Sequence, residues 1–355
     1  MTGHAPAYRA GAFAHLHEQE GIELALSGGR VRHGGKLAAP ELAVPARRTD
    51  PREIYRLAAG GGYRAVVCST AGRLAPAAAW AGARRGRVPL VLWASLWAHP
   101  RTPAHALTFL PLRALYRCAD AVVTYGAHVS AYVLARGAHN VHVAPQSVDN
   151  GFWSAPTQAD RQLVAWPRPD SVRFLFAGRP AREKGIAVLL KAWSQAALNP
   201  HAGLVLAGMP DGFGTARQRA GDGVRRIAPL PPEQLRAVYA SCDVLVLPSI
   251  ATRNFREPWG LVVNEAMNQR LPVIASDAVG AAAAGLVRDG ANGIVVPAGD
   301  AAGLSRALTR LASDASLRKR LGDAAGEDVR AYTHRAWAEG FSRAFQSVGV
   351  SRERW

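Results

Sequence analysis

Cysteine is scarce. Cys68, Cys118 and Cys242 stand far apart in 355 residues with no Cys-x-x-Cys pairing, which argues against a disulfide framework and against a structural zinc site. No run of eighteen or more apolar residues occurs, and the opening MTGHAPAYRAGAF lacks the basic, apolar and small-residue order of a secretory signal. Neither a spanning helix nor export is therefore expected, and the expected compartment is the cytoplasm. Asp-x-Asp is absent, and with it the usual carboxylate clamp for a divalent ion, so no metal is expected. Acidic residues number 26 against 43 basic ones, a net charge of +17. That balance fits an anionic partner, although lysine is confined to positions 36, 184, 191 and 319 and the abundance of arginine fits a compositional bias equally well. The positives form no basic tail and no aromatic-interleaved RNA-binding signature accompanies them, so a phosphate-bearing substrate or a bilayer surface is expected rather than nucleic acid.

What is present is a recurring pattern. Short runs of Val, Leu, Ile and Ala return every twenty to thirty residues, with helix-length amphipathic segments between them. In the first half they begin at Ile22, Tyr63, Val88, Asp120 and Asn140; in the second at Val172, Ala202, Asp243, Pro272 and Gly293. Near-continuous apolar strands alternating with helices predict parallel sheets covered on both faces. The fold class expected is α/β, with two Rossmann-like domains, residues 1–165 and 166–355, joined through an aperiodic Pro-, Gly- and Asp-containing stretch over 148–171. Open parallel sheets bind ligands beyond the carboxyl ends of their strands, so the expected working site is a cleft between the two domains. One element is missing from the order: the helix-like YRAGAFAHLHEQ precedes the first strand, where a strand should come first.

The second half carries a charged constellation. In FLFAGRPAREKGIAVLLKAW (174–193), Gly178 allows a tight turn after a strand, Arg179 and Lys184 lie in the loop, and Gly185 opens a helix. Two cations beside a strand-to-helix turn suit a diphosphate, and they are equally what a solvated loop would carry. In REPWGLVVNEAMNQRLPVIASD (256–277), Pro258 and Gly260 predict a helix start that leaves amides at Trp259, Gly260 and Leu261 unpaired, an anion-binding arrangement. Glu257 precedes that helix and Glu265 falls about one and a half turns inside it, so the two carboxylates can flank a phosphate and accept hydroxyl protons. A ligand with hydroxyl-rich groups on both sides of a diphosphate is a nucleotide sugar.

These segments, with DVLVLPS and VRDGANGIVVPAGD, resemble the donor-binding half of retaining glycosyltransferases of family four, of the polysaccharide- and lipopolysaccharide-assembly type with the two-domain GT-B fold. The likeness covers about 130 residues in matching order, and its hallmark is a glutamate pair with seven residues between, matched by Glu257 and Glu265. By that resemblance, Arg179 and Lys184 hold the donor diphosphate and stabilise it as it leaves, Glu257 lies near the transferred sugar, and Glu265 holds the ribose. The backbone at Trp259, Gly260 and Leu261 touches sugar and phosphate, while Ile227 and Leu230 line the nucleobase pocket. The resemblance implies a hexosyltransferase-type enzyme that needs no cofactor or metal and takes a UDP- or GDP-sugar as donor and a glycan or lipid-linked acceptor. The competing reading is a noncatalytic nucleotide-sugar-binding relative lacking its opening strand.

Resemblance in the first half rests on PAYRAGAFAHL, ADAVVTYG and VDNGFW. Many members of that family carry a loop histidine near the reacting sugar; the comparable position after VPLVLWA is Ser95, with the candidate His99 four residues later, and His99 is equally a solvated loop residue. Gly11, expected in the first loop, offers donor phosphates a close approach. HALTFLPLRALYRCA, from His105, pairs leucines with Arg113 and Arg117. It fits either a core-facing helix or a peripheral contact with an anionic membrane, on the inner face in this family. The last helix, HRAWAEGFSRAFQSV, is expected to cross back onto the first domain.

Overall fold

The computed structural model describes residues 1–3, 5–28, 43–70, 72, 74–159, 171–198, 200–210 and 223–350. They divide into two compact units, Met1–Asp149 with Tyr332–Trp355, and Asn150–Ala331.

In the first unit, α1 (Ala10–Glu20) leads to β1 (Leu24–Leu26), β2 (Ala46–Arg48), α2 (Pro51–Ala59), β3 (Val66–Ser69), α3 (Ala75–Gly86), β4 (Leu90–Ala94), α4 (Pro103–Cys118), β5 (Ala121–Thr124), α5 (Ala127–Leu134) and β6 (Val141–Val143). Strands β3-β4-β5-β6 form a parallel sheet in that order, and β1-β2 a separate parallel pair. The central strands β4 and β5 are buried along their whole length, as their uninterrupted apolar runs require. Local signals fix several helix starts: the Asp50 carboxylate accepts from the Glu53 amide ahead of Pro51, and Thr102 from the His105 amide ahead of Pro103. No strand precedes α1 among the described residues. Instead Thr2 makes a single parallel bridge to Leu26.

The second unit contains α6 (Asn150–Ser154), β7 (Val172–Ala177), α7 (Ile186–Ala196), β8 (Ala202–Ala207), β9 (Val224–Ile227), α8 (Pro232–Ala240), β10 (Val244–Leu247), α9 (Val262–Asn268), β11 (Val273–Ser276), α10 (Gly280–Ala283), β12 (Gly293–Val296), α11 (Ala301–Ser313) and α12 (Ala315–Asp328). Its six strands are parallel in the order β12-β11-β10-β7-β8-β9. The chain winds outward from β7 through β8 to β9, then returns to the other side of β7 to lay down β10. Successive loops after β7 and β10 therefore leave on opposite faces of the sheet, which opens a crevice at their carboxyl ends.

The expected boundary near residue 165 falls outside the described residues, whereas the packing divides the units between Asp149 and Asn150. The cause lies in α6. Trp153 packs edge-on against Tyr239 at 5.8 Å, and Phe152 takes the Arg236 guanidinium over its ring at 4.5 Å. After α12 the chain returns to the first unit as α13 (His334–Ser347). There Trp337, Phe341 and Phe345 join Phe13, Leu16 and Trp93 in the core between the sheet and α1. A second core on the opposite face joins Ile54, Val66, Cys68, Leu92 and Tyr116.

Candidate functional site

The crevice between β7 and β10 gathers the charged residues of the second unit. Gly178 follows β7 directly, and its amide donates to the Ala207 carbonyl. A short 3-10 turn, Arg182–Lys184, then carries the lysine back over the strand ends. The turn is held by the Ile250 amide, which donates to the Glu183 carbonyl, and by Gly185 at φ +70°. A β-carbon at Gly185 would lie 1.9 Å from the Pro248 carbonyl oxygen, so glycine is required both for its conformation and for close approach. Gly185→Ala is expected to cost roughly 2–4 kcal/mol, read as a lowered urea midpoint at unchanged slope.

The Lys184 ammonium reaches Glu257 Oε2 at 2.6 Å across 73 residues of sequence. Both side chains are largely buried, 15% and 9% exposed, so the contact is dry enough to fix geometry. The Ser249 hydroxyl, fully buried after β10, also donates to Glu257 Oε2 at 3.4 Å. Arg179, in the same loop as Lys184, is half-exposed and pairs with Glu183. The segment bearing Glu257 is clamped to α10: Gly280 N–H donates to the Glu257 carbonyl and Ala281 N–H to the Trp259 carbonyl, and a β-carbon on Gly280 would meet the Pro258 oxygen at 2.0 Å.

The helix start differs from the expected one. Gly260 sits at φ +94°, which breaks the helical path, so α9 begins at Val262 with Leu261 as its cap. Glu265 is consequently in the first turn of α9 rather than one and a half turns inside it. Its carboxylate accepts from the Tyr239 hydroxyl at 2.7 Å. Burial pushes the Glu265 carboxyl up to about 7, with the Tyr239 hydrogen bond opposing that rise. Burial, and the nearby Glu265 charge, also raise the Tyr239 hydroxyl well above its ordinary value, so it remains a donor. The Trp259 side chain is a packing group, 3% exposed, with its indole N–H donating to Asn264 Oδ1 at 2.7 Å.

The arrangement can hold an anion beside a buried cation, with a carboxylate fixed against that cation and a second, easily protonated carboxyl nearby. The family model described as glycosyl transferases group 1 matches residues 159–328. That stretch is similar to a group 1 glycosyltransferase domain. Over 206 residues it is 31% identical to a D-inositol 3-phosphate glycosyltransferase of Corynebacterium kroppenstedtii, covering 54% of this chain and 44% of that protein. Over 208 residues it is 33% identical to a phosphatidyl-myo-inositol mannosyltransferase of Mycobacterium leprae, covering 58% and 54%. The chain thus spans about half the length of these relatives. The crystal structure of Anabaena Alr3699/HepE in complex with UDP aligns over 98% of both chains, with TM-score 0.77 and 17% identity. That likeness shows the fold, GT-B, with two Rossmann-like units.

Within the matched stretch, Ile227 ends β9 and its carbonyl accepts from the Gly208 and Met209 amides, while Leu230 lies in the loop before α8. Tyr239 and Ser249 were not anticipated from sequence. Ser249 closes the apolar run DVLVLPS, where a small polar residue at a strand's carboxyl end is a usable signal; Tyr239, inside a helix, offers none.

In the first unit, His99 is engaged at both nitrogens, with the Tyr132 hydroxyl at 3.3 Å and the His105 carbonyl at 2.8 Å, and packs edge-on against Phe109. Gly11 is not in a loop. It is the second residue of α1, and the close approach it permits is used by the His334 ring, 2.6 Å from where a β-carbon would stand. The sequence reading also passed over Arg9, which is buried over the Trp93 ring at 4.8 Å and donates to the Tyr125 hydroxyl at 3.3 Å and to Gln146.

Proposed function

We propose that the chain is a retaining, metal-independent glycosyltransferase that moves a sugar from a nucleoside-diphosphate sugar to a glycan or lipid-linked acceptor. The observation that carries this reading is the Lys184–Glu257 contact at the β7–β10 switch point. In transfer, the bond between the anomeric carbon and the diphosphate oxygen breaks and its electron pair stays on that oxygen. The acceptor oxygen forms the new bond and gives up its proton. Charge grows on the departing diphosphate, and Lys184 with Arg179 opposes it most strongly as it develops. Glu257, oriented by Lys184 and Ser249, is assigned to the sugar, and Glu265 to the ribose hydroxyls. His99 is assigned to the acceptor side.

Two features support the wider assignment. The related proteins are named D-inositol 3-phosphate glycosyltransferase and phosphatidyl-myo-inositol mannosyltransferase, and HepE was crystallised with UDP. The test is a panel of UDP- and GDP-sugars with mass analysis of products. Transfer with retention supports the proposal; nucleotide binding without transfer favours the noncatalytic reading, and inertness toward every donor overturns both.

Helix α4 adds a location to the proposal. Its inner residues Leu112, Leu115 and Tyr116 pack on the core, while Leu107 and Leu110 are 81% and 68% exposed beside exposed Arg113 and Arg117, with no acidic residue in the helix. An apolar ridge flanked by arginines suits the inner, cytoplasmic face of an anionic bilayer. No helix among the described residues is long and apolar enough to cross it. Flotation with anionic vesicles at low salt should carry the protein upward, and Leu107→Ser with Leu110→Ser should abolish this.

A further inference from the structure

In the first unit, the segments that end β4, β5 and β6 converge on one side chain, Arg9, the residue just before α1. Its Nη2 donates to the Tyr125 hydroxyl, directly after β5, at 3.3 Å, and to Gln146 Oε1, after β6. The guanidinium lies over the Trp93 ring of β4 at 4.8 Å, the Tyr8 ring at 5.4 Å and the Tyr125 ring at 5.6 Å. Tyr125 is tied in turn to Ser95, after β4. Arg9 is thus 8% exposed, yet it pairs with no carboxylate among the described residues. Asp149, an acidic group of this neighbourhood, acts on His334 instead: burial lowers the His334 pKa, Asp149 opposes that, and His15 and Arg9 add to it. Helix α1 supplies no compensation either. A cation before its first turn faces the positive end of the helix dipole, and that turn carries no acidic residue and no side-chain cap. A charge held away from water by neutral partners alone costs stability, and a bound anion would relieve that cost.

We propose that Arg9 is the recognition group for an anionic oxygen, a carboxylate or a phosphate, carried by the sugar acceptor. That the anion belongs to an acceptor rests on the transferase reading; that Arg9 holds an anion rests on the first unit alone. The carboxyl ends of parallel strands are where open sheets take their ligands, and β4, β5 and β6 all end at this guanidinium. Both of its hydrogen bonds to described residues leave from Nη2, so Nε and Nη1 keep hydrogens for a ligand. Two bonds and three rings already fix the side chain, and little rotamer freedom is left to lose when an anion binds. Beside it, Tyr8 is 50% exposed and offers a ring face to the body of the acceptor. An arginine that served only to join the three segments would need neither the open donors nor the missing counter-charge.

The test titrates the full chain, in excess UDP, with methyl phosphate, methyl glucuronide and methyl glucoside. It follows the Arg9 Nε–H resonance, assigned by its absence from Arg9→Gln. A saturable shift with methyl phosphate or methyl glucuronide, and none with methyl glucoside, is expected; the tighter of the two anions tells phosphate from carboxylate. No saturable shift with either anion overturns the proposal, as does an equal shift with the neutral glucoside. In transfer assays, Arg9→Gln should raise KM for an anionic acceptor by about 10–100-fold, the loss of one charge-assisted contact, with donor KM unmoved. Arg9→Lys, which keeps the charge and loses the planar fork, should recover part of that loss. Equal rises for anionic and neutral acceptors, or a rise in donor KM alone, overturn the proposal. Should Arg9→Gln not fold, Arg9→Lys supplies the assignment and the wild-type titration decides. If no sugar is transferred while the resonance still saturates with an anion, the transferase reading fails and the anion site stands.

Discussion

Lys184→Ala is expected to lower sugar transfer by about 10²–10³-fold, the usual cost of removing one group aimed at developing charge. It should also destabilise the protein. The ammonium contacts a carboxylate that is 9% exposed, and deleting it removes one half of a largely buried ion pair, at about 3 kcal/mol. Those two losses have different origins and can be separated. In the double variant Lys184→Ala with Glu257→Gln, the buried charge is gone and thermal stability should return toward wild type, because the amide can still accept from Ser249. Transfer should stay low. If the double variant recovers both, Lys184 serves the fold alone; if Lys184→Ala turns over at the wild-type rate, the assignment of the leaving-group site is wrong.

The second large effect concerns pH. Glu265 is held at about 7 when folded, against an ordinary carboxyl value of 4.5. The folded state therefore binds the proton more tightly than the unfolded chain, and stability falls as pH rises from about 4.5 through about 7, then levels off. The full difference is roughly 3 kcal/mol. Glu265→Gln removes the titration, so its denaturation midpoint should stay flat over that window and exceed wild type above pH 7. Tyr239→Phe should steepen the wild-type loss, since the Tyr239 hydroxyl stabilises the charged form. A nucleotide whose ribose hydroxyls donate to the carboxylate favours ionisation, so binding near pH 6 should release protons, visible as a buffer-dependent heat. Coincident stability profiles for wild type and Glu265→Gln would refute the assignment.

The sequence reading located the strands whose chemistry is unambiguous and missed those defined only by context. VLVL is buried end to end and VRFLFA at every residue but Arg173, and they could be little else. Strand β2 is Ala46–Arg48, exposed at every residue, and exists because β1 offers it a ladder. Strand β9 carries two arginines in four residues and is likewise recruited by β8. At the candidate site, spacing and residue type single out the loop cations and the two glutamates, because turn glycines and charge leave marks in sequence. What sequence could not supply was partnership: that Lys184 faces Glu257 while Arg179 faces Glu183, or that a helix tyrosine caps Glu265. Gly11 shows the opposite error. Gly11 suggests room for a ligand in the sequence, and the room is taken by the His334 ring.

The return of α13 to the first unit has a consequence for synthesis. Residues 150–331 form a contiguous block and can fold as soon as they clear the ribosome. The other unit cannot finish before it, because Trp93 and Phe13 wait for Trp337 and Phe341, which follow that block in the chain. Until then an unfinished aromatic face is exposed to chaperones, and a premature stop before residue 334 should cripple the amino-terminal half while sparing the later one.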